Sequence, residues 1–469
     1  MRRTYWALPV LLLAGCGLAQ TNTVGEVEFA HRLRVPPLAG SHLDDQGRRV
    51  FDLRAQAGST DFGTGGKTST WGFNGSYLGP TLRAKRGERV MVNVVNGLAE
   101  TTSVHWHGMH LPARMDGGPH QPIRPNATWS PTWTVDQPAA TLWYHPHPHG
   151  ETEKHVSRGL AGMFIVDDDT RVNLPREYGV DDVPMIVQDR DDTVLVNGTA
   201  GPYLDVRTER VRLRLLNASS ARVYNFGLAD DRPFALVGTD GGLLPTAHGT
   251  SRIRLSPGER AEIVVEVQPG ERVTLRSYPV ELDNFLSDLF NGGNDTLDVL
   301  ELRAAADLAP SPAVPARLAP IARLDPASAA TTREFTLAGR KINGRGMDMG
   351  RIDAVVTRDT TEIWEITKRG DGTAHSFHVH DVQFQVLSVD GERPPAELGG
   401  WKDTILLEPD RTVRIVARFA DYADPDVPYM FHCHLNKHED QGMMGQFVVV
   451  EPGQEPGRPD THSHRNGHG

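Results

Sequence analysis

Cysteine is nearly absent from this 469-residue chain: there are 2, and Cys16 falls in an apolar leader at the N-terminus. A structural disulfide is therefore excluded once the leader is gone, and Cys433 is left as a lone thiol. Positive charge is also in short supply, since 49 Lys and Arg face 60 Asp and Glu for a net charge of −11. That balance argues against nucleic acid as a partner. Past the leader, no apolar run is long enough to span a bilayer. What the chain does have is 47 Gly and 33 Pro beside an apolar content of 38%, which suits many short strands and turns better than long helices. The length predicts about three domains at ~150 residues each.

The leader reads Met1-Arg2-Arg3, an apolar run from Tyr5 to Ala14, then Leu13-Ala14-Gly15-Cys16. This is the form of a bacterial signal peptide with a lipobox, which would make Cys16 a lipidated first residue. Cleavage after Ala19 as an ordinary secretory signal is the alternative. Both readings export the chain to the periplasm or cell envelope, with Cys16 as its one membrane attachment. Arg2-Arg3 before Thr4-Tyr5-Trp6 also permits twin-arginine export.

From Gly79 the text becomes regular, with turn residues ahead of alternating strands. Gly87-Glu88-Arg89-Val90-Met91-Val92-Asn93-Val94 is echoed by Glu209 to Asn217 and by Thr361 to Ile366. Gly159 to Val166 resembles Gly442 to Val449. Such echoes predict a duplicated all-β unit, with residues 1–20 as signal peptide and domains over 21–169, 170–303 and 333–452. Residues 304–332 form an Ala/Pro-rich linker, and 453–469 a polar tail carrying His462, His464 and His468. The Gly/Ser/Thr-rich stretch from Gly58 to Thr70 reads as a surface loop.

The chain is organised around Phe431 to Met444, F-H-C-H-L-N-K-H-E-D-Q-G-M-M. A thiolate at Cys433, an imidazole at His438 and a thioether at Met443 are three of the ligands of a blue-copper electron-transfer site, which takes two His, one Cys and a weak axial Met. His432 and His434 flank the sulfur. On an extended strand they point to one face and the sulfur to the other, so a metal on the Cys433 side would be joined through the backbone to metal held by the imidazoles. His-x-His recurs at His105/His107, His145/His147 and His378/His380, only in the first and last domains. Eight converging imidazoles could hold three coppers. His375 can supply the imidazole missing from the Cys433 set. Zinc is a poorer fit, since it favours closed tetrahedral sites and has no redox use for a Cys between two His.

The blocks H-W-H-G, W-Y-H-P-H, H-S-F-H-V-H and H-C-H-L-N-K-H-E-D-Q-G-M resemble those of three-domain multicopper oxidases, the laccase and bacterial copper-efflux oxidase family, over nearly the whole exported chain. The resemblance implies three consecutive cupredoxin-like Greek-key β-barrels and four copper ions. It gives the type 1 copper to His375, Cys433, His438 and Met443, and the type 2 copper to His105 and His378. It gives one type 3 ion to His107, His145 and His434, and the other to His147, His380 and His432. Catalysis would couple one-electron oxidation of substrate at type 1 copper to four-electron reduction of dioxygen to water at the cluster, with Asp116 and Glu439 relaying protons. Two positions depart from the family: Asp381 stands where Gly is usual, and His155 where many relatives have Gln.

The implied substrate is cuprous or another reduced metal ion, in copper tolerance with laccase-like activity, if Asp348, Met349 and Asp371 hold Cu(I) near the type 1 site. Soft thioethers suit Cu(I), and carboxylates compensate the charge that grows on oxidation. The alternative is a laccase acting on phenols or aromatic amines, with Asn284 to Asn294 as a wall or lid of the donor pocket. A copper-storage or structural cell-envelope protein on the same scaffold is the reading from another class. The chain is expected to act as a monomer.

Overall fold

The computed structural model describes residues 20–170, 172–190, 193–282, 284–370 and 372–459. The leader with Cys16, the tail histidines and Asp371 lie outside the described residues. The protein is all-β, and its described strands form six sheets, two to each of three cupredoxin-like barrels. Neighbours within each sheet are often distant in sequence, as a Greek key requires. One first-barrel sheet, for example, sets Leu82–Lys85 beside Gly162–Asp167, then Ala140–His145, then His105–His107. No helix among the described residues is long and apolar enough to cross a membrane.

Each barrel closes on its own core. Phe51, Trp106, Trp133 and Phe164 fill the first, Leu215, Phe226, Ile263 and Leu300 the second, and Trp364, Phe377, Phe431 and Phe447 the third. Alternation along a strand explains the choice. In Arg89–Asn96 every second residue is buried, and Val90, Val92 and Val94 face the core.

The stretch from Gly58 to Thr70 is not a loop. It belongs to a hairpin in which Arg49–Asp61 pairs antiparallel with Lys67–Phe73, from Ala55 opposite Phe73 to Asp61 opposite Lys67. Thr60 and Thr70 bond through their hydroxyls at 3.0 Å. Gly58 marks a close approach of two segments, since a Cβ there would lie 2.6 Å from the Ser76 Cα.

The barrels meet through buried polar joints. Arg214 of the middle barrel donates to Asp182 at 2.6 and 2.9 Å and to Glu262 at 2.9 Å, and also to the Thr141 hydroxyl of the first barrel at 2.8 Å. Between the first and third barrels, the Asp440 carboxylate accepts from the amides of Thr152 and Glu153 at 2.7 and 2.9 Å. Tyr429 donates to the Leu111 carbonyl at 2.7 Å. The chain enters the fold on the middle barrel: the Thr21 amide donates to Asp295 at 2.8 Å, and His31–Arg32 adds an edge strand beside Pro202–Thr208.

Replacing Arg214 by Ala strips the buried Asp182 of its cation and is expected to destabilise the protein by on the order of 3–5 kcal/mol. Thermal unfolding of the variant beside the parent checks this, and an unchanged midpoint would refute it.

Candidate metal centres

The strand Asp424–Cys433 and the residue after it carry out the alternation expected of an extended segment. Cys433 is fully buried among Phe377, Leu435 and Met443 inside the third barrel, while His432 and His434 face the first barrel. His375, at the start of the neighbouring strand His375–Val379, sets Nδ1 3.2 Å from the Cys433 sulfur, and His438 Nδ1 lies 3.8 Å from it. The loop return fixes the fourth group. Met443 donates its amide to the His438 carbonyl at 2.9 Å and accepts from the Cys433 amide at 3.1 Å, so its buried side chain arises beside the thiol. Burial pushes the Cys433 thiol up to about 12, so a metal that binds sulfur here must displace the proton.

The second site lies between the first and third barrels. Antiparallel pairing sets His105 opposite His145 in one barrel and His378 opposite His432 in the other. His105 stacks on His380 at 3.8 Å and His107 on His378 at 3.7 Å, so each pair joins the two barrels. The Nε2 atoms of His147 and His380 both lie 3.2 Å from His432 Nε2. The rings of His107, His145 and His434 stand 5.0 to 5.7 Å apart.

The outward nitrogens of several of these rings are held by acceptors. His105 and His378 donate from Nδ1 to the carbonyls of Asp116 and Asp403 at 3.0 and 2.8 Å, and His145 to that of Pro146 at 2.9 Å. The Nε2 atoms of all three then have no hydrogen-bond partner, nor do His107 Nδ1 and both nitrogens of His434. Buried polar atoms without partners are costly. So many of them converging on one space fit metal ligation. Burial and mutual repulsion hold His107, His145, His147, His378 and His432 well below the usual histidine range, His380 at about 4 and His434 at about 3. Neutral imidazole is the form that binds metal.

Three buried carboxyls border the site, those of Asp116, Glu439 and Asp403. Asp116 sits 2.7 Å from His380 Nδ1 and 3.3 Å from His105 Nδ1. Burial opposes its charge, but the two imidazoles prevail and hold it well below the usual carboxylate range. Glu439 lies 3.4 Å from His147 Nδ1 and 3.3 Å from His432 Nδ1, and burial raises it well above the usual range. Asp116 and Glu439 are therefore shifted in opposite directions by their surroundings.

Asp381 has a left-handed backbone, φ 68°, the conformation for which glycine is the usual residue. Its carboxyl is buried and raised well above the usual range, chiefly by burial, then by Asp421 and Asp116. His155 is no ligand: it meets the Thr102 hydroxyl at 3.0 Å and packs edge-on against Trp71. Asp403 and Thr404 escaped the sequence reading, yet they lie 3.0 and 3.1 Å from His107 Nε2. The signal available was Lys402-Asp403-Thr404, two charges leading directly into an apolar strand.

Of the substrate residues, Met349 is half-buried and Asp348 exposed, with Arg351 at 3.9 Å from its carboxylate. Their loop docks on the loop between His438 and Met443, the Met347 amide donating to the Gly442 carbonyl at 2.8 Å. A separate cavity of about 280 Å³ reaches half-buried His438 and is lined by Phe290, Asn291, Arg340, Thr373 and Lys437, among others. Phe290 belongs to the helix Phe285–Asn291, capped by the Asn284 side chain, and is 62% exposed, so this middle-barrel segment forms one wall.

Sequence profiles described as multicopper oxidase match residues 55–171 and 316–453. Multicopper oxidase mco of Staphylococcus haemolyticus is 37% identical over 443 residues, covering 88% of this chain and 92% of its own. Cell division protein FtsP of Escherichia coli K12 is 33% identical over 477 residues, covering 96% and 98%. Among solved structures, the laccase-like multicopper oxidase CueO of an Ochrobactrum species superposes with a TM-score of 0.82 at 35% identity, covering 89% of this chain and 100% of its own.

Copper uptake by metal-free protein is expected to release the Cys433 proton, so affinity at that centre should rise about tenfold per pH unit through neutrality. Calorimetry in buffers of different ionisation heat counts the proton. An equal count in Cys433→Ser would refute it.

Proposed function

The chain belongs to the multicopper oxidase family, and from that premise we propose that it oxidises a donor one electron at a time and reduces dioxygen to water. The observation that carries this reading is the Cys433 sulfur and the flanking imidazoles on opposite faces of one strand. In this assignment His375, Cys433, His438 and Met443 hold a type 1 copper, and His105 and His378 a type 2 copper. His107, His145 and His434 hold one type 3 ion, and His147, His380 and His432 the other. Bound copper would supply the redox chemistry, four ions storing the four electrons that dioxygen needs.

The polypeptide does the rest. Cys433 and its two neighbours offer a bonded path from the donor side to the oxygen side. Asp116 and Glu439, each between two cluster imidazoles, hold and pass protons. Burial keeps bulk water away from both. For the donor, the cavity at His438 with Phe290 on its wall supports a small aromatic molecule such as a phenol. A second reading, cuprous ion in copper tolerance, is supported by the Met347-Asp348-Met349 loop docked beside Met443. The leader supports export to the periplasm or cell envelope, with lipid attachment at Cys16. The non-catalytic alternative is a copper-storage or structural cell-envelope protein, and one relative, FtsP, is named as a cell division protein; the full set of converging donors favours an oxidase.

Oxygen uptake by copper-loaded protein, with a phenol, Cu(I) and Fe(II) side by side, tests the proposal, and none with any donor would refute it. Asp116→Asn is expected to slow reoxidation by oxygen about 10²-fold while donor still bleaches the blue absorption at the parent rate. Phe290→Ala should lower kcat/KM for the phenol about tenfold, near 1.4 kcal/mol, and spare Cu(I). Asp348→Ala should do the reverse if the metal reading holds.

A further inference from the structure

The middle barrel supplies none of the candidate ligands, yet one of its side chains reaches them through a single intermediary. Arg260, at the start of the strand Arg260–Glu266, is completely buried. Its Nη1 and Nη2 donate to the two carboxylate oxygens of Asp403 at 2.7 and 2.6 Å. Nε donates to the Thr141 carbonyl of the first barrel at 2.9 Å, and the remaining protons go to the Gly258 and Asp240 carbonyls, both at 3.0 Å. One planar guanidinium thus ties all three barrels together.

Asp403 sits on the other side of this clamp. Its Oδ1 accepts from His107 Nε2 at 3.0 Å, and its main-chain carbonyl accepts from His378 Nδ1 at 2.8 Å. The Thr404 hydroxyl joins it at 3.1 Å from each of these ring nitrogens, and the two adjacent residues together leave His107 Nδ1 and His378 Nε2 facing the metal space. The preceding residue is held as well, Lys402 bridging Asp240 and Glu259 at 2.8 and 2.9 Å. The fit leaves no slack: a Cβ on Gly108, next to His107, would lie 2.6 Å from Asp403 Oδ2 and 2.7 Å from Arg260 Nη2.

We propose that Arg260 is a positioning residue by which the middle barrel, acting through Asp403, fixes the nitrogen that His107 and His378 turn toward the copper cluster; this rests on the ligand assignment above. A lysine at 260 keeps the charge but loses the two-pronged grip. Asp403 could then swing, and the acceptor for His107 would no longer be held in place.

Arg214 provides the matched control. It is a buried, forked arginine of the same barrel that also reaches Thr141, and it touches no candidate ligand. Copper-loaded full-length Arg260→Lys and Arg214→Lys are compared with the parent by copper content, EPR, blue absorption, melting temperature and chelator competition. Arg260→Lys is expected to keep the blue absorption, alter the EPR spectrum of the cluster and hold cluster copper 10–100-fold more weakly. Arg214→Lys should lose stability with an unaltered cluster spectrum. Should Arg260→Lys not accumulate as folded protein, Asp403→Asn, which removes the charge and turns one of the two gripped oxygens into a donor, is read by the same criteria. Equal cluster spectra in the two lysine variants, or parallel loss of blue and cluster copper, would overturn the proposal. Absence of cluster copper from the parent would instead overturn the ligand assignment.

Discussion

Everything in the third barrel follows from the geometry of an extended chain at Cys433. Successive side chains leave a strand on opposite faces, so His432 and His434 cannot share the environment of the thiol between them. The sulfur goes into an apolar core and the imidazoles into a polar seam against the first barrel. The rest of the site accommodates that division. His105 and His107 repeat it, with Trp106 taking the core position and its neighbours the seam.

The seam is costly to build, because so many imidazoles are removed from water. Neutrality lessens the cost, and acceptors on the outward nitrogens lessen it again. Carbonyls at Asp116, Pro146 and Asp403 require only that the backbone run in the right place. Carboxylates at Asp116 and Asp403 require cations or further donors of their own, and Asp403 finds its cation in Arg260 of the middle barrel. Buried ion pairs are weak sources of stability but strong ones of geometry. The joints at Arg214 and Arg260 both tie the middle barrel to the first at Thr141, and the one at Arg260 also grips Asp403 beside His107.

The candidate donors were legible in the sequence because they cluster in short motifs with strand spacing. His375, Cys433 and His438 are brought together as the motif predicts, and the His-x-His pairs meet across the seam. What was hidden depends on tertiary partners. Asp403 carries no motif of its own, and Arg260 gains its role from contacts with residues more than a hundred positions away. Composition misled at Gly58 to Thr70, where Gly, Ser and Thr suggest a turn but the hydroxyls pair across a hairpin and the glycine makes room for Ser76. Asp381, legible as a departure from the usual Gly, sits with a left-handed backbone that Asp tolerates and a buried carboxyl.

One residue of the middle barrel anchors two features at once. Thr21 is tied to Asp295, only a few residues past the helix whose Phe290 walls the cavity at His438. Asp295 also grips Arg222 and closes the turn after that helix through the Gly292 carbonyl, so the first described residues and the cavity wall share one fastening. A change that loosened it would be felt at the mouth of that hollow and at the edge of the barrel together.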